Sequence, residues 1–174
     1  FLLAVALSLC LQFAGCGYTT HSIVTDSYNS IYVPAFVNKI EIALDGKENN
    51  KYRIYRPFLE SEVTQAVIDK FMADGSLRPA VEENSDLILR GEVIEFTKDP
   101  LRYDKNDDVL EYRVNIAVRL SLWDRINNEK LWEENRFVGN TTYFATGSTG
   151  MTEQAAIDFA VDDLSRRIVE RVVE

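Results

Sequence analysis

The clearest pattern in the chain is a strict alternation of apolar and polar residues between Glu111 and Trp123. A period of two over a dozen residues predicts a β-strand with one buried face and one solvated face. The following segment, "LWEENRFVG" continuing to Phe144, comes after the turn sequence "DRINNEK" and is predicted to pair with this strand as an antiparallel hairpin. The buried face is predicted to carry Tyr112, Val114, Ile116, Val118, Leu120 and Leu122, and the solvated face Glu111, Arg113, Asn115, Ala117, Arg119 and Ser121.

Two earlier segments also have the composition of strands. Ser30–Asn38 is predicted as the first strand, and because Pro34 cannot donate a hydrogen bond, we expect this strand at an edge or paired on one side only. Asp86–Phe96 is predicted as the second strand. The intervening Lys39–Arg56 alternates only weakly around the turn-forming "DGKENNK", and we interpret it as an elaborated loop.

Two segments have the period of amphipathic helices. The first is predicted to begin at Pro57, which suits the first helical position, and to stop at Gly75. The second is predicted from Thr152 to Val173, with acidic residues early and basic residues late, as the helix dipole favours. Their apolar stripes consist of Leu59, Val63, Ala66, Val67 and Phe71 in the first helix, and of Ile157, Ala160, Val161, Leu164, Ile168 and Val172 in the second.

The predicted element order is therefore β-α-β-β-β-α. Four strands in one sheet and two helices on one of its faces make a two-layer α+β sandwich. We assign residues 30–174 to this single domain, a length sufficient to bury a core.

The opening segment, Phe1–Gly15, has no charged residue in a chain that is 27% charged. It falls short of the roughly 20 apolar residues of a membrane-spanning helix. A buried core helix is a second possibility, but the segment is apolar all round. We expect the apolar part of a cleaved signal peptide, with the chain beginning inside the signal because the basic region of such signals is missing.

The sequence "FAGC" ends that segment at Cys16 and resembles the lipobox of bacterial lipoproteins, with Phe13 in place of the usual Leu. The resemblance implies that Cys16 is lipidated and that residues 16–29 are a lipidated N-terminus and tether. Several acyl chains suffice for stable anchoring without a spanning helix. Gly17, rather than Asp, follows the Cys, which in the familiar sorting scheme implies an outer-membrane location.

Composition and motif content argue against nucleic-acid binding and against catalysis. The net charge of −9 argues against nucleic-acid binding, which needs a basic surface. Cys10 would leave with the signal and Cys16 would carry lipid, so we expect no disulfide in the mature chain. The only histidine, His21, lies in the predicted tether, and "GSTG" (Gly147–Gly150) lacks the Lys of a phosphate-binding loop. We predict a non-enzyme with no cofactor and no metal site.

An ordered set of motifs resembles the LptE family of lipopolysaccharide-assembly lipoproteins. These motifs are "AGCGY", "YVPAFVN", "LESEVTQAVIDKFMADGSLR", "SDLILRGEVIEF", "PLRYD", "EYRVNIAVRLSLWD" and "LWEE". The resemblance implies an outer-membrane lipoprotein that plugs the lumen of a large β-barrel, LptD, in a 1:1 complex, assists its assembly and helps deliver lipopolysaccharide to the outer leaflet. The alternative is a periplasm-facing scaffold lipoprotein of another envelope assembly machine.

The candidate site residues fall into two sets. For lipopolysaccharide phosphates, the predicted loop "TKDPLRYDKNDD" supplies cations, although its aspartates also suit an ordinary solvated hairpin tip. For the partner, exposed aromatics and the polar strand face suit a water-lined barrel lumen, while core burial is the alternative for Trp123, Tyr143 and Phe144. The lipopolysaccharide candidates are Lys98, Arg102 and Lys105, and the partner-contact candidates are Tyr103, Arg113, Arg119, Trp123, Tyr143 and Phe144.

Overall fold

The computed structural model describes residues 27–40, 56–145 and 150–174. The predicted signal peptide, Cys16, His21, and most of the tether and of the Lys39–Arg56 loop lie outside the described residues. Within them, no helix is long and apolar enough to cross a membrane. The elements are β1 (Ser30–Tyr32), β2 (Val37–Asn38), α1 (Leu59–Asp74), β3 (Arg78–Pro79), a 3₁₀ turn (Glu82–Asn84), β4 (Leu87–Tyr103), β5 (Val109–Asp124), β6 (Glu129–Phe144) and α2 (Glu153–Val173).

The α+β class and the two helices are confirmed, but the predicted four-stranded sheet and its element order are wrong in detail. The sheet has six strands in the order β3-β1-β4-β5-β6, and β2 also pairs with β4. The sheet is mixed. β1 pairs in parallel with β3 and with β4, and β2 pairs in parallel with β4. β4, β5 and β6 form a long antiparallel meander. The two additional strands are only two residues long, too short to show a period in the sequence.

The predicted first strand is two strands, because Pro34 interrupts it. β1 pairs with both β3 and β4, so the expected edge or one-sided position is wrong for β1, whereas β2 is paired on one side only, with β4. Between β1 and β2 the chain turns inward, burying Val33 and Phe36. The Phe36 N–H donates to Thr64 Oγ1 of α1 at 2.9 Å instead of to a strand.

The helix boundaries are close to prediction. α1 begins two residues after Pro57, because Phe58 adopts a left-handed conformation with φ of 66°. Gly75, with φ of 79°, ends the helix as predicted, and its N–H donates to the Phe71 carbonyl. At the start of α2, the Thr152 hydroxyl accepts a hydrogen bond from the Ala155 N–H at 3.2 Å, which satisfies one of the unpaired donors of the first turn.

α1 and α2 pack side by side on one face of the sheet, which we call the helix face. Leu120, Val118 and Phe71 are among the residues that are fully or almost fully buried there. The sheet and α2 approach closely at Gly139 of β6, where a Cβ atom would lie 2.4 Å from the Cβ of Leu164. The opposite face, which we call the polar face, carries Arg90, Glu92, Arg113, Asn115, Arg119, Ser121 and Trp123.

The β4–β5 hairpin is longer than predicted, because most of the predicted "TKDPLRYDKNDD" loop is strand. β4 continues to Tyr103, which pairs with Val109, and bulges accommodate the irregular segment around Pro100. The remaining turn is held by Asp104, whose Oδ1 accepts from the backbone N–H groups of Asn106 at 2.7 Å and Asp108 at 2.9 Å. Such side-chain turns are typical of Asp.

The close packing at Gly139 gives a test of the helix–sheet contact. Gly139→Ala should lower the free energy of unfolding by about 1–3 kcal/mol, because the added methyl overlaps the α2 backbone, which cannot move aside cheaply. Urea unfolding of the purified protein measures it. Asn140→Ala, an exposed neighbour on the same strand, is the matched control and should change stability by less than about 0.5 kcal/mol. Equal stability of both variants would contradict this packing.

Candidate partner-facing surface

The polar face is charged, and its charges pair across strands. Arg119 Nη1 lies 2.6 Å from Glu92 Oε2, and Arg136 Nη2 lies 3.0 Å from Glu95 Oε1. Arg119, Glu92, Glu95 and Arg136 border a shallow groove together with Lys39 of the loop after β2. Because these charges are mutually neutralised, the face offers water-compatible contacts rather than a strong field of one sign.

Further along the same face the polar contacts are hydrogen bonds. Asn115 Nδ2 donates to Asp99 Oδ2 at 2.8 Å and to Thr97 Oγ1 at 3.0 Å. Arg113, opposite Asp99 in the register, is exposed. The structure thus places the partner candidates Arg113 and Arg119 together on one exposed sheet face.

Trp123 lies half-buried on the polar face, between two cations. The Arg90 guanidinium lies 5.2 Å and the Lys130 ammonium 5.9 Å from its ring centre. Its Nε1–H donates to Ser121 Oγ at 3.1 Å. Sequence reasoning missed Arg90 and Lys130, because they come from the neighbouring strands and only the register of the sheet brings them to Trp123.

The end of the β4–β5 hairpin presents a second group of candidates. Arg102 Nη2 lies 3.4 Å from Glu111 Oε2, and its guanidinium lies 5.6 Å from the ring centre of Phe144. Phe144 and Tyr103 are 41% and 51% exposed. Lys105, in the turn itself, is exposed. We call Arg102, Tyr103, Lys105 and Phe144 the hairpin end.

Lys98 and Tyr143 are not part of the hairpin end, because they lie on the helix face. Lys98 Nζ lies 2.5 Å from Glu153 Oε2 at the start of α2 and 4.7 Å from the ring centre of Tyr112. The hydrogen bond with Glu153 raises the pKa of Lys98. Tyr143 is buried and stacks on Tyr112 with ring centres 5.7 Å apart, which agrees with the core alternative. Its burial raises its pKa.

The N-terminal end of the described domain is fastened by two carboxylates. The Tyr28 hydroxyl donates to Asp124 Oδ2 at 2.9 Å. Asp86 Oδ2 accepts from the Asn29 N–H at 2.9 Å and from the Ser30 hydroxyl at 2.8 Å. These bonds hold the start of the domain beside the β5–β6 turn, at the opposite end of the sheet from the hairpin end.

Hydrogen bonds lower the pKa values of both carboxylates. For Asp86 the largest cause is the Asn29 backbone N–H, followed by the Ser30 hydroxyl. For Asp124 the largest cause is the Asn127 backbone N–H. The sequence alone does not indicate this fastening, because its donors, in residues 28–30, lie far from both carboxylates along the chain.

The fastening predicts a pH dependence of stability. A carboxyl whose pKa is lowered by folding stabilises the fold above its ordinary pKa of 3.8, and loses that contribution as the pH falls through the lower folded value. Asp86→Asn should therefore destabilise the fold by about 1 kcal/mol at pH 7. It should also flatten the decline in stability below about pH 4.

Urea unfolding of the purified protein between pH 7 and pH 3 measures both effects. Glu83→Gln, a change at an exposed carboxyl of the neighbouring 3₁₀ turn, is the control and should leave the pH profile unchanged. An Asp86→Asn profile parallel to that of the unmodified chain would show that Asp86 does not fasten the N-terminal end.

Comparison with solved structures shows the same fold at low sequence identity. A hypothetical protein from Chlamydia trachomatis matches with a TM-score of 0.55 and 12% identity, covering 83% of this chain and 95% of its own. The uncharacterized lipoprotein B from Nitrosomonas europaea matches with a TM-score of 0.51 and 11% identity, covering 84% of this chain and 80% of its own. A PelC variant from Paraburkholderia phytofirmans, solved as a dodecamer, matches with a TM-score of 0.51 and 14% identity, covering 84% and 90%.

Comparison with family models gives a more specific result. No curated protein matches the chain significantly. The model of the lipopolysaccharide-assembly family LptE matches residues 28–172, which include every described strand and both helices apart from the last residue of α2. The chain therefore belongs to the LptE family of lipopolysaccharide-assembly proteins.

Proposed function

We propose that this chain is an outer-membrane lipoprotein that fills the lumen of an LptD-type β-barrel in a 1:1 complex. In that position it assists assembly of the barrel and helps deliver lipopolysaccharide to the outer leaflet. The observation that carries the proposal is the family match over residues 28–172. A lipopolysaccharide-assembly family also supports the prediction that the chain is not an enzyme.

The polar face supports a position inside a barrel. The lumen of an outer-membrane barrel is polar and holds water, so a plug needs a surface that remains compatible with water. The ion pairs Arg119–Glu92 and Arg136–Glu95 contribute to such a surface, since each of these four charges keeps a partner when water is displaced. The exposed Arg113 and the half-buried Trp123 add individual contact points for the wall.

Lipidation of Cys16 is the proposed attachment to the membrane. Tyr28 lies twelve positions after Cys16, so an extended tether reaches about 40 Å at about 3.3 Å per residue. The bonds of Tyr28 and Ser30 to the β5–β6 end imply that this end faces the anchor. The hairpin end is then directed away from the anchored leaflet.

Lys98, Arg102 and Lys105 remain the proposed contacts for lipopolysaccharide phosphates. Lys105 is exposed in the turn, and Arg102, although paired with Glu111, has a side chain that is 61% exposed, against 24% for Lys98. Lys98 is held by Glu153 and by the ring of Tyr112, so it must leave an ion pair to bind. We therefore expect Arg102 and Lys105 to contribute more than Lys98.

Co-purification tests the barrel partnership. The full chain, tagged at its C-terminus and extracted from native membranes in mild detergent, should recover one large β-barrel protein in about equal amount, identified by mass spectrometry. Cys16→Ala is the companion variant: its folded domain should remain intact but leave the membrane fraction. Recovery of the unmodified chain as a lone monomer would favour the scaffold alternative and contradict the proposal.

Direct lipopolysaccharide binding tests the cationic candidates. Arg102→Ala and Lys105→Ala should each weaken binding of purified lipopolysaccharide by about fivefold, since each removes one charge-assisted contact. Lys98→Ala should weaken it less. Fluorescence titration of the purified protein measures this ranking, with Lys130→Ala, at the opposite end of the sheet, as the control. Equal affinities for all four variants would contradict the assignment.

A further inference from the structure

The two edges of the sheet are protected to different extents. Edge strands expose backbone N–H and C=O groups that another extended chain can pair with. At one edge, β3 has only two residues, and one of them is Pro79, which has no N–H to donate. At the other edge, β6 runs for 16 residues. The exposed side of β6 is thus a long terminal edge at which the sheet can accept a further strand. Among the described residues, β4 also has no parallel partner beyond Val93.

The register of β5 and β6 shows which β6 groups point outward. The Ala145 N–H donates to the Leu110 carbonyl at 3.0 Å. Because hydrogen-bonded and non-bonded pairs alternate in an antiparallel ladder, the backbone groups of Val138, Asn140, Thr142 and Phe144 face away from β5. This agrees with the contacts of α2 described next.

α2 covers only part of this edge. Asp163 Oδ2 accepts from the Asn140 N–H at 3.1 Å, and the Arg167 guanidinium donates to the Val138 carbonyl. Beyond Asn140, no described residue makes a hydrogen bond to the outward backbone groups of Thr142 or Phe144. The sequence here, "TTYF", consists of residues that favour strands. Among the described residues, the edge is thus closed as far as Asn140 and open from Thr142 to Phe144.

An exposed aromatic side chain lies on each side of the open edge. Phe159 is one helical turn before Asp163, which places it on the same side of α2, beside β6, and it is 55% exposed. Phe144, 41% exposed, lies towards the polar face, where it pairs with Glu111 and contacts Arg102. The two exposed rings therefore give the open edge apolar surface on both of its sides, which a bound segment can cover.

We propose that the open edge Thr142–Phe144 is a docking site for one extended peptide segment of a partner protein, which adds to the sheet as a further strand beside β6. The outward backbone N–H and C=O groups of β6 recur every two residues, at a spacing of about 6.8 Å. The hydrogen-bonding groups of a second strand have this spacing, and those of a lipid or a sugar do not. Alternate side chains of the segment pack on Phe159 and on Phe144. The exposed Arg102 guanidinium favours an acidic residue next to the position over Phe144.

The source of the segment rests on the proposed function, which names the barrel protein as the partner. A short augmenting strand fits this edge better than a long one, because Asp163 and Arg167 block its continuation past Asn140. Such strand addition takes its affinity from main-chain hydrogen bonds and its specificity from the alternate side chains.

Photo-crosslinking in native membranes tests the location. Full-length chain carrying benzoylphenylalanine at Thr142 should crosslink to one extended segment of the barrel protein, mapped by mass spectrometry of the crosslinked peptide. The same probe at Asn128, in the β5–β6 turn at the other end of the sheet, should not reach that segment. A crosslink from Thr142 to a second copy of the chain, or to lipid alone, would overturn the inference.

Backbone substitution tests the mechanism. Thr142→Pro removes an N–H that β5 does not use, so the fold should persist while the added strand loses a donor and meets the proline ring. Recovery of the barrel protein should fall about tenfold, the loss that corresponds to roughly one strong hydrogen bond. Thr142→Ala keeps the N–H and should recover it normally. Urea unfolding verifies that each variant is folded. If Thr142→Pro is not folded, Phe159→Glu, a surface change on α2, serves as the second variant.

The outcomes separate the two proposals. Undiminished recovery of the barrel protein with both Thr142→Pro and Phe159→Glu overturns the edge site and leaves the proposed function intact. Absence of any barrel protein with the unmodified chain overturns the proposed function. In that case a Thr142 crosslink mapped to an extended segment of another identified envelope protein supports the edge site. If the Thr142 crosslink maps to no such segment, the edge site is overturned.

Discussion

The alternation of apolar and polar residues along β5 is the constraint on which the rest of the structure depends. β5 is paired over almost its whole length with β4 on one side and β6 on the other. A shift of one residue in either register would turn every side chain of the shifted strand to the other face. Val114, Ile116 and Leu120 are fully buried, whereas Arg113 and Arg119 are exposed. This one strand therefore determines which face holds the helices and which is available to a partner.

Much of the fold could be predicted because β5 and α2 carry long, regular periods. The short strands could not, since β2 and β3 have two residues each and exist only through pairing with distant residues. β4 shows a different limit of prediction from the sequence. The bulge between Val93 and Glu95 changes which residues face the helices, so Lys98 lies on the helix face although the sequence suggests an exposed loop.

The candidate site was predictable in the same uneven way. Arg113 and Arg119 were identified because the alternation of β5 places them on its solvated face. The Glu92 partner of Arg119 and the cations around Trp123 depend on the cross-strand register, and the fastening of Ser30 by Asp86 joins residues 56 positions apart. Such contacts have no local signal in one sequence, because only the folded sheet brings the residues together.

The most direct test of a polar sheet face inside a barrel is photo-crosslinking from Asn115, the central polar residue of β5, in living cells. We expect crosslinks to lumen-facing residues of one outer-membrane barrel protein, since the polar face is then next to the barrel wall. Crosslinks from Asn115 only to soluble periplasmic proteins, with the chain present in the outer membrane, would contradict it.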